Sequence, residues 1–334
     1  MLQLSFNSIS EPLLGPKWQG IFNTYWPAYK KWFETNGADK KPSLGIAQNR
    51  LERYMPEMMP TYNRLCELVG DDLTAHRFLT GWQPPAYISG CSQAVLPSTP
   101  QLVRNYDYHP HLMEGILLYS SWNGKQVMAI SDCLVGVLDG MNSDGLVVSL
   151  TFGGRRTVTR GFGIPFVLRY LLEFCSDVNE AAEALKRVPT HMAYNIMLLD
   201  KTGAHKMVML TPGNEPKVTD LLVSANHQGE LYWPDRERFP NSLERERFLN
   251  TMMSNPNLDP WEMAASFLHP PLFNTRYKRG AGTIYTTVYR PAERYMQMRW
   301  PDKTINQSFD YFEESSTPVY IHAPELEEEP KQDF

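Results

Sequence analysis

The chain is short of cysteine: 4 in 334 residues, at Cys66, Cys91, Cys133 and Cys175. No two stand close enough for a CxxC, which argues against a zinc knuckle or a thioredoxin-like redox motif. Their spacing suggests no disulfide framework, so free thiols in a reducing cytoplasm are expected. Long apolar runs are absent as well. Stretches such as 146–150 fall far below the roughly 20 residues of a membrane span. The opening MLQLSFNSISEPLLGPKWQG has no basic segment followed by a continuous apolar one, unlike a signal peptide. Positive charge is not in excess. Lysine and arginine number 32 against 37 acidic residues, a net charge of -5, which argues against a nucleic-acid partner. Cofactor fingerprints are missing: no GxGxxG opening a helix, no GxxxxGK[ST], no HExxH. Gly161-Phe162-Gly163 lacks the third glycine and reads as a tight connection. His109 and His111 share a strand face but have no evident third ligand. No cofactor and no metal are expected.

Hydrophobic residues make up 42% and charged residues 21%, a globular composition. The first 90 residues read as helical. Residues 18–33 are aromatic and amphipathic, with Pro27 as the expected kink or boundary. Leu51, Tyr54, Met58, Tyr62, Leu65 and Leu68 follow helical spacing, broken by Pro56 and Pro60. Asp71 and Asp72 supply a cap for a helix over 73–82. From Tyr87 onward the pattern turns to strands joined by hairpins: 116–119 with 126–130 around Asn123-Gly124, 134–138 with 146–152, 193–199 with 206–210, and 282–289 with 295–300. Residues 139–145 read as the turn of the second hairpin, with Asp139, Asn142 and Asp144 as oxygen donors in a loop too short for an EF-hand. Helices over 166–174 and 178–185 interrupt the strands. Two sheets with helices on their outer faces satisfy this order. Residues 324–334 form an acidic tail expected to be loosely held.

Cys91 stands where the helical start gives way to strands, after Gly90, whose lack of a side chain permits backbone distortion. Thirteen residues later comes Arg104-Asn105-Tyr106-Asp107. On a strand, Arg104 and Asp107 fall on opposite faces, so periodicity alone does not bring them together.

With these motifs the sequence resembles the acyltransferase and amidase branch of the N-terminal-nucleophile hydrolases that includes isopenicillin N acyltransferase. More distantly it is similar to the choloylglycine and penicillin V hydrolases and to acid ceramidase-like amidases. The matching residues are Gly90-Cys91, the Arg104–Asp107 element, Met141-Asn142-Ser143-Asp144-Gly145-Leu146, the strand from Asn195 into Asp200-Lys201-Thr202-Gly203, Ala225-Asn226-His227 and Ser242-Leu243-Glu244-Arg245. The resemblance covers roughly residues 90–300. One departure is Ala225, where the family usually has Thr.

The resemblance implies an α+β fold, a four-layer α-β-β-α sandwich of two stacked antiparallel sheets. It implies three regions: a helical N-terminal segment over 1–90, serving as propeptide or small subunit, a catalytic domain over 91–323 and the tail over 324–334. It implies self-cleavage between Gly90 and Cys91, which frees an α-amine. That amine has a pKa near 7.7–8 and can take the thiol proton near neutral pH. Asp107 would orient the amine, Arg104 would lower the thiol pKa, Asn195 and Asn142 would hold the oxyanion, and Arg245 would close a charge network with Asp107. The implied activity is hydrolysis or transfer of the acyl group of an N-acyl amide or thioester. The two cleaved pieces would stay associated, and a homo-oligomer is compatible with the sequence. An unprocessed chain would lack the amine, and the same fold would then serve binding. An apolar acyl pocket is expected near Phe152, Phe162, Ile164 and Phe166.

Overall fold

The computed structural model describes residues 2–35, 42–229 and 241–321. The tail expected over 324–334 lies outside them. Its opening is a strand, β1 (Leu2–Glu11), and not a helix. Leu4 and Phe6 are buried while Gln3 and Ser5 are exposed, the period of two that a half-buried strand requires. Glu11 at its end then caps the next element. Its carboxylate accepts the backbone N–H groups of Lys17 (2.8 Å) and Trp18, satisfying donors that every helix start leaves unpaired. That helix, α1 (Pro16–Glu34), continues past Pro27, which is therefore not its boundary. A proline removes one backbone bond. Here Trp18, Phe22 and Trp26 before it and Tyr29 and Phe33 after it pack into one aromatic row with Phe78, with ring centroids 5.4–5.6 Å apart.

The helices α2 (Leu44–Tyr54), α3 (Met59–Val69) and α4 (Leu73–Leu79) follow. Pro56 starts the short 3-10 turn that separates the first two. Asp72 caps α4 by accepting the Thr74 and Ala75 N–H groups. The strands β2 (Gly90–Leu96), β3 (Gln101–Tyr108), β4 (Ile116–Ser120), β5 (Val127–Asp132), β6 (Gly136–Asn142) and β7 (Val147–Phe152) lead to the helix pair α5 (Ile164–Phe174) and α6 (Val178–Arg187). Strand β6 extends through Asn142, so Asp139 is a strand residue and the turn is confined to residues 143–146. Then come β8 (Tyr194–Leu199), β9 (His205–Leu210), β10 (Lys217–Thr219), β11 (Val223–Ser224), α7 (Ser242–Met253), α8 (Pro260–Ser266), β12 (Thr275–Arg276), β13 (Ala281–Arg290), β14 (Tyr295–Trp300), β15 (Lys303–Ser308) and β16 (Ser315–Ile321).

Nine strands form one sheet in the order β10-β9-β8-β7-β6-β5-β4-β1-β16, and β11-β2-β3-β13-β14-β15 run through the other. Pairings are antiparallel except β1 with β4, which is parallel. Three apolar clusters define the layers. The first joins α1–α6 to the outer face of the nine-stranded sheet, through Val127, Ala129, Val148, Leu150, Ile196 and Leu198. The second lies between the sheets, through Met128, Ile130, Val147, Met197, Val95, Leu102, Tyr285 and Tyr289. The third joins Ala94, Val103 and Val288, on the outer face of the other sheet, to α7 and α8. Alternate residues of one strand therefore enter different layers, which is the strand period read out in three dimensions. The result is a mixed α/β sandwich of four layers. Phe152, Phe162, Ile164 and Phe166 all belong to the first cluster, beneath the helices. They face away from the gap between the sheets.

Candidate active site

Cys91 is the second residue of β2 and is fully buried, with its side chain in the layer between the sheets. Its register partner on β3 is Tyr106. Two residues back on the same face, Arg104 reaches across, and its Nη2 donates to Cys91 Sγ at 3.1 Å. Ser89 Oγ lies 3.6 Å from the same sulfur. Burial pushes the Cys91 thiol pKa up, and the neighbouring Arg104 opposes this without overcoming it. The lowering expected from Arg104 is thus present as a contribution, but desolvation wins.

The backbone of Cys91 is held from the opposite side. Strand β11 pairs with β2 only at Val223↔Ala94 and Ser224↔Gln93. Continuing that register would put Asn226 opposite Cys91, but the strand has ended there. The Asn226 side chain takes the place of the ladder. Its Oδ1 accepts the Cys91 N–H at 3.0 Å and its Nδ2 donates to the Ser89 carbonyl at 3.4 Å. Arg245 completes the frame. Its Nη1 donates to the Cys91 carbonyl (2.8 Å) and to Ser92 Oγ (2.7 Å), and its Nη2 donates to Asn226 Oδ1 (2.9 Å).

Arg245 and Ser242 are three apart on α7, a spacing that puts both on one helix face. Both are buried. Ser242 Oγ accepts the Asn226 N–H at 2.8 Å and meets His227 Nδ1 at 2.8 Å, while His227 Nε2 pairs with Glu246 at 3.0 Å. Both ring nitrogens of His227 are thus engaged in bracing the loop, and neither bonds to Cys91.

Asp107 sits on the face of β3 away from Arg104. It pairs with Arg245 at 3.5 Å and accepts Thr283 Oγ1 at 2.7 Å. Burial pushes its carboxyl pKa up, with Arg245 the strongest opposing influence. Arg104 and Asp107 do not converge. One reaches the sulfur from the layer between the sheets, and the other reaches the backbone side through Arg245. This resolves the parity conflict in the sequence without a bulge in β3.

Two residues expected at the oxyanion bond elsewhere than to Cys91. Asn142 ends β6. Its Nδ2 donates to the carbonyls of Leu172 (3.0 Å) and Cys175 (2.7 Å), and its Oδ1 accepts the Asp144 and Leu146 N–H groups. All its hydrogen-bonding capacity ties the β6–β7 turn to the end of α5. Asn195 donates through Nδ2 to Thr151 Oγ1 (3.2 Å) and to the carbonyls of Ala225 (3.2 Å) and His227 (3.0 Å). It grips the chain on both sides of Asn226. Its Oδ1 is buried with no hydrogen-bond partner among the described residues.

Two residues of this arrangement escape sequence reasoning, Asn226 and Asp139. Asn226 lies inside the Ala225-Asn226-His227 motif, which by itself gives it no separate role. Asp139 reads as a turn residue. In the structure it forms a fully buried ion pair with Arg104.

No curated protein matches the sequence of this chain. Among solved structures, a mutant of conjugated bile acid hydrolase from Clostridium perfringens aligns at 12% identity and a TM-score of 0.46, over 71% of this chain and 98% of that one. A Caenorhabditis elegans ortholog of N-acylethanolamine-hydrolyzing acid amidase aligns at 19% identity and 0.45, over 69% and 100%. Penicillin V acylase from Agrobacterium tumefaciens aligns at 13% and 0.40, over 66% and 86%. The model of the acyl-coenzyme A:6-aminopenicillanic acid acyl-transferase family matches residues 96–304, beginning just after Cys91. That match covers more than half of the sequence, and the chain therefore belongs to this acyl-transferase family.

Proposed function

We propose that the chain cuts itself between Gly90 and Cys91 and then transfers or hydrolyses the acyl group of an N-acyl amide through a Cys91 thioester. One observation carries this reading. The sulfur, the N–H and the C=O of Cys91 are each held by a different buried polar side chain: Arg104, Asn226 and Arg245. A core thiol that only fills space needs none of them, and burying two guanidinium groups is costly.

In the first step Sγ attacks the Gly90 carbonyl carbon. A C–S bond forms, the C–N bond breaks, and the thiol proton ends on the Cys91 nitrogen as an α-amine. Water then cleaves the thioester, leaving pieces of 90 and 244 residues (334 minus 90). In turnover the amine takes the thiol proton and delivers it to the leaving amine of the substrate. Asp107, through Arg245, sets the charge around that amine. Asn226 keeps Oδ1 on the amine nitrogen. Once Ser89 withdraws, its Nδ2 is free to donate to the oxyanion, a contribution of about 3 kcal/mol. Water as acceptor gives hydrolysis, and an amine or thiol acceptor gives transfer. The 1–90 piece serves as small subunit and 91–323 as catalytic domain. The four unpaired cysteines suit a cytoplasmic location. No described helix is long and apolar enough to cross a membrane.

The test is the intact mass under denaturing conditions, beside a Cys91→Ala control. Two species are expected, the larger beginning at Cys91, with the control remaining whole. A single full-length species after long incubation would remove the N-terminal-amine mechanism and leave a binding role for the fold.

A further inference from the structure

Resting on Cys91 as nucleophile, we propose that Asp139 is the positioning residue that fixes Arg104 against the sulfur. Arg104 leaves β3, crosses the space between the sheets and ends near the other one. Such a side chain carries about 2 kcal/mol of rotamer entropy and holds one position only if it is clamped. The clamp is on the far sheet. Arg104 Nε donates to the Leu150 carbonyl on β7 at 3.0 Å, and Nη1 pairs with Asp139 on β6. Nη2 is thereby left directed at Cys91 Sγ.

Asp139 is itself oriented by the near sheet. Tyr285 OH donates to Oδ2 at 2.9 Å, and Tyr289 OH donates to Oδ1 at 2.6 Å. Tyr285 OH also accepts from Arg104 Nη1 at 3.0 Å. These bonds run to Arg104 and between one another, not to the Cys91 sulfur, so Asp139 acts through Arg104. Its register partners, Ile130 on β5 and Ser149 on β7, place it in the middle of a paired sheet, where it cannot drift. The carboxylate also balances the guanidinium charge, so the site holds a donor for the thiolate without an uncompensated buried cation.

The experiment measures alkylation of Cys91 by iodoacetamide from pH 5 to 10. Peptide mass spectrometry separates Cys91 from Cys66, Cys133 and Cys175. Asp139→Ala is expected to slow Cys91 alkylation at pH 7 about tenfold and to move the midpoint of its pH profile upward. Asp139→Asn, which can still accept from Arg104, is expected to recover most of the rate. In an Arg104→Gln background, Asp139→Ala should change nothing further. Losses that multiply, or an unchanged profile in Asp139→Ala, would overturn the inference while leaving Cys91 as nucleophile. A wild-type Cys91 that resists alkylation across the whole range would overturn both. Tyr289→Phe removes one donor to Asp139 and keeps the ring. If Asp139→Ala does not fold, the same cycle is run with it, with a severalfold loss expected only where Arg104 is present.

Discussion

At the scale of single residues, two asparagines beside Cys91 hold unequal places. Asn226 contacts Cys91, and Asn195 contacts the carbonyls on either side of Asn226. The difference predicts different kinetics. Asn226→Ala removes the proposed oxyanion donor and should lower kcat/KM about 100- to 1000-fold. Asn195→Ala leaves that donor in place but frees the loop that carries it, so a smaller loss is expected. Asn195→Asp should be worse than Asn195→Ala, because a carboxylate would face the carbonyl oxygens of Ala225 and His227. Steady-state hydrolysis of an N-acyl amide by the self-cleaved chain ranks the three variants. Equal loss in Asn226→Ala and Asn195→Ala would mean that Asn195 is no mere support.

Among the elements, β1 has the largest consequence. It lies between β4 and β16, pairing with β16 from Leu2↔Ile321 to Ser8↔Ser315 and with β4 from Asn7↔Ile116 to Glu11↔Ser120. The piece released by a cut after Gly90 would thus remain the eighth strand of a nine-stranded sheet. It is expected to elute with the larger piece in native gel filtration and to separate only in denaturant. Phe6, 1% exposed and 4.6 Å from the ring of Trp300, anchors the strand. Phe6→Ala should cost about 3–5 kcal/mol, read as a lower urea midpoint. Two separate peaks from the wild type under native conditions would rule this coupling out.

This strand also shows what could be read in advance. Hairpins with local turn chemistry were legible, because Asn123-Gly124 and Asp200-Lys201-Thr202-Gly203 determine their pairing within a few residues. So was the cap at Asp72. The role of β1 was not, because its partners lie more than 100 residues away and its alternation, Leu2, Leu4, Phe6, is brief. In the site, Cys91, Arg104, Asp107 and Arg245 were legible as motif residues, and the structure places Arg104 at the Cys91 sulfur and Asp107, through Arg245, on its backbone side. Asn226 and Asp139 were hidden for a physical reason. What marks them is a partner across a sheet edge or across the layer gap, and neither leaves a local pattern.

At the scale of the whole molecule, the N-terminal helices are fastened to the nine-stranded sheet through a buried acidic cluster. Tyr29 OH on α1 donates to Glu114 Oε1 (2.8 Å) or Asp132 Oδ1 (3.2 Å) and accepts the Cys133 N–H. Glu114 also accepts Ser131 Oγ and the Leu134 N–H, with the Arg169 guanidinium of α5 nearby. Cys133 Sγ donates to Asp132, and the phenols of Tyr87, Tyr106 and Tyr194 face the same charge. One phenol proton cannot serve two carboxylates. Burial and the neighbouring Glu114 push the Asp132 pKa up to about 7, and burial raises Glu114 as well. The folded chain therefore holds a proton here that the unfolded chain has already lost above its ordinary carboxylate pKa of roughly 4. The stabilisation is complete below pH 4 and is lost progressively as pH rises toward 7. In the uncut Cys91→Ala background, the urea midpoint should fall from pH 5 to pH 7.5, and Asp132→Asn should flatten part of that slope. Glu114, Glu173 and Asp107 are raised by burial too, so some slope persists. An Asp132→Asn midpoint that falls as steeply as the parent's would show that Asp132 does not hold the proton.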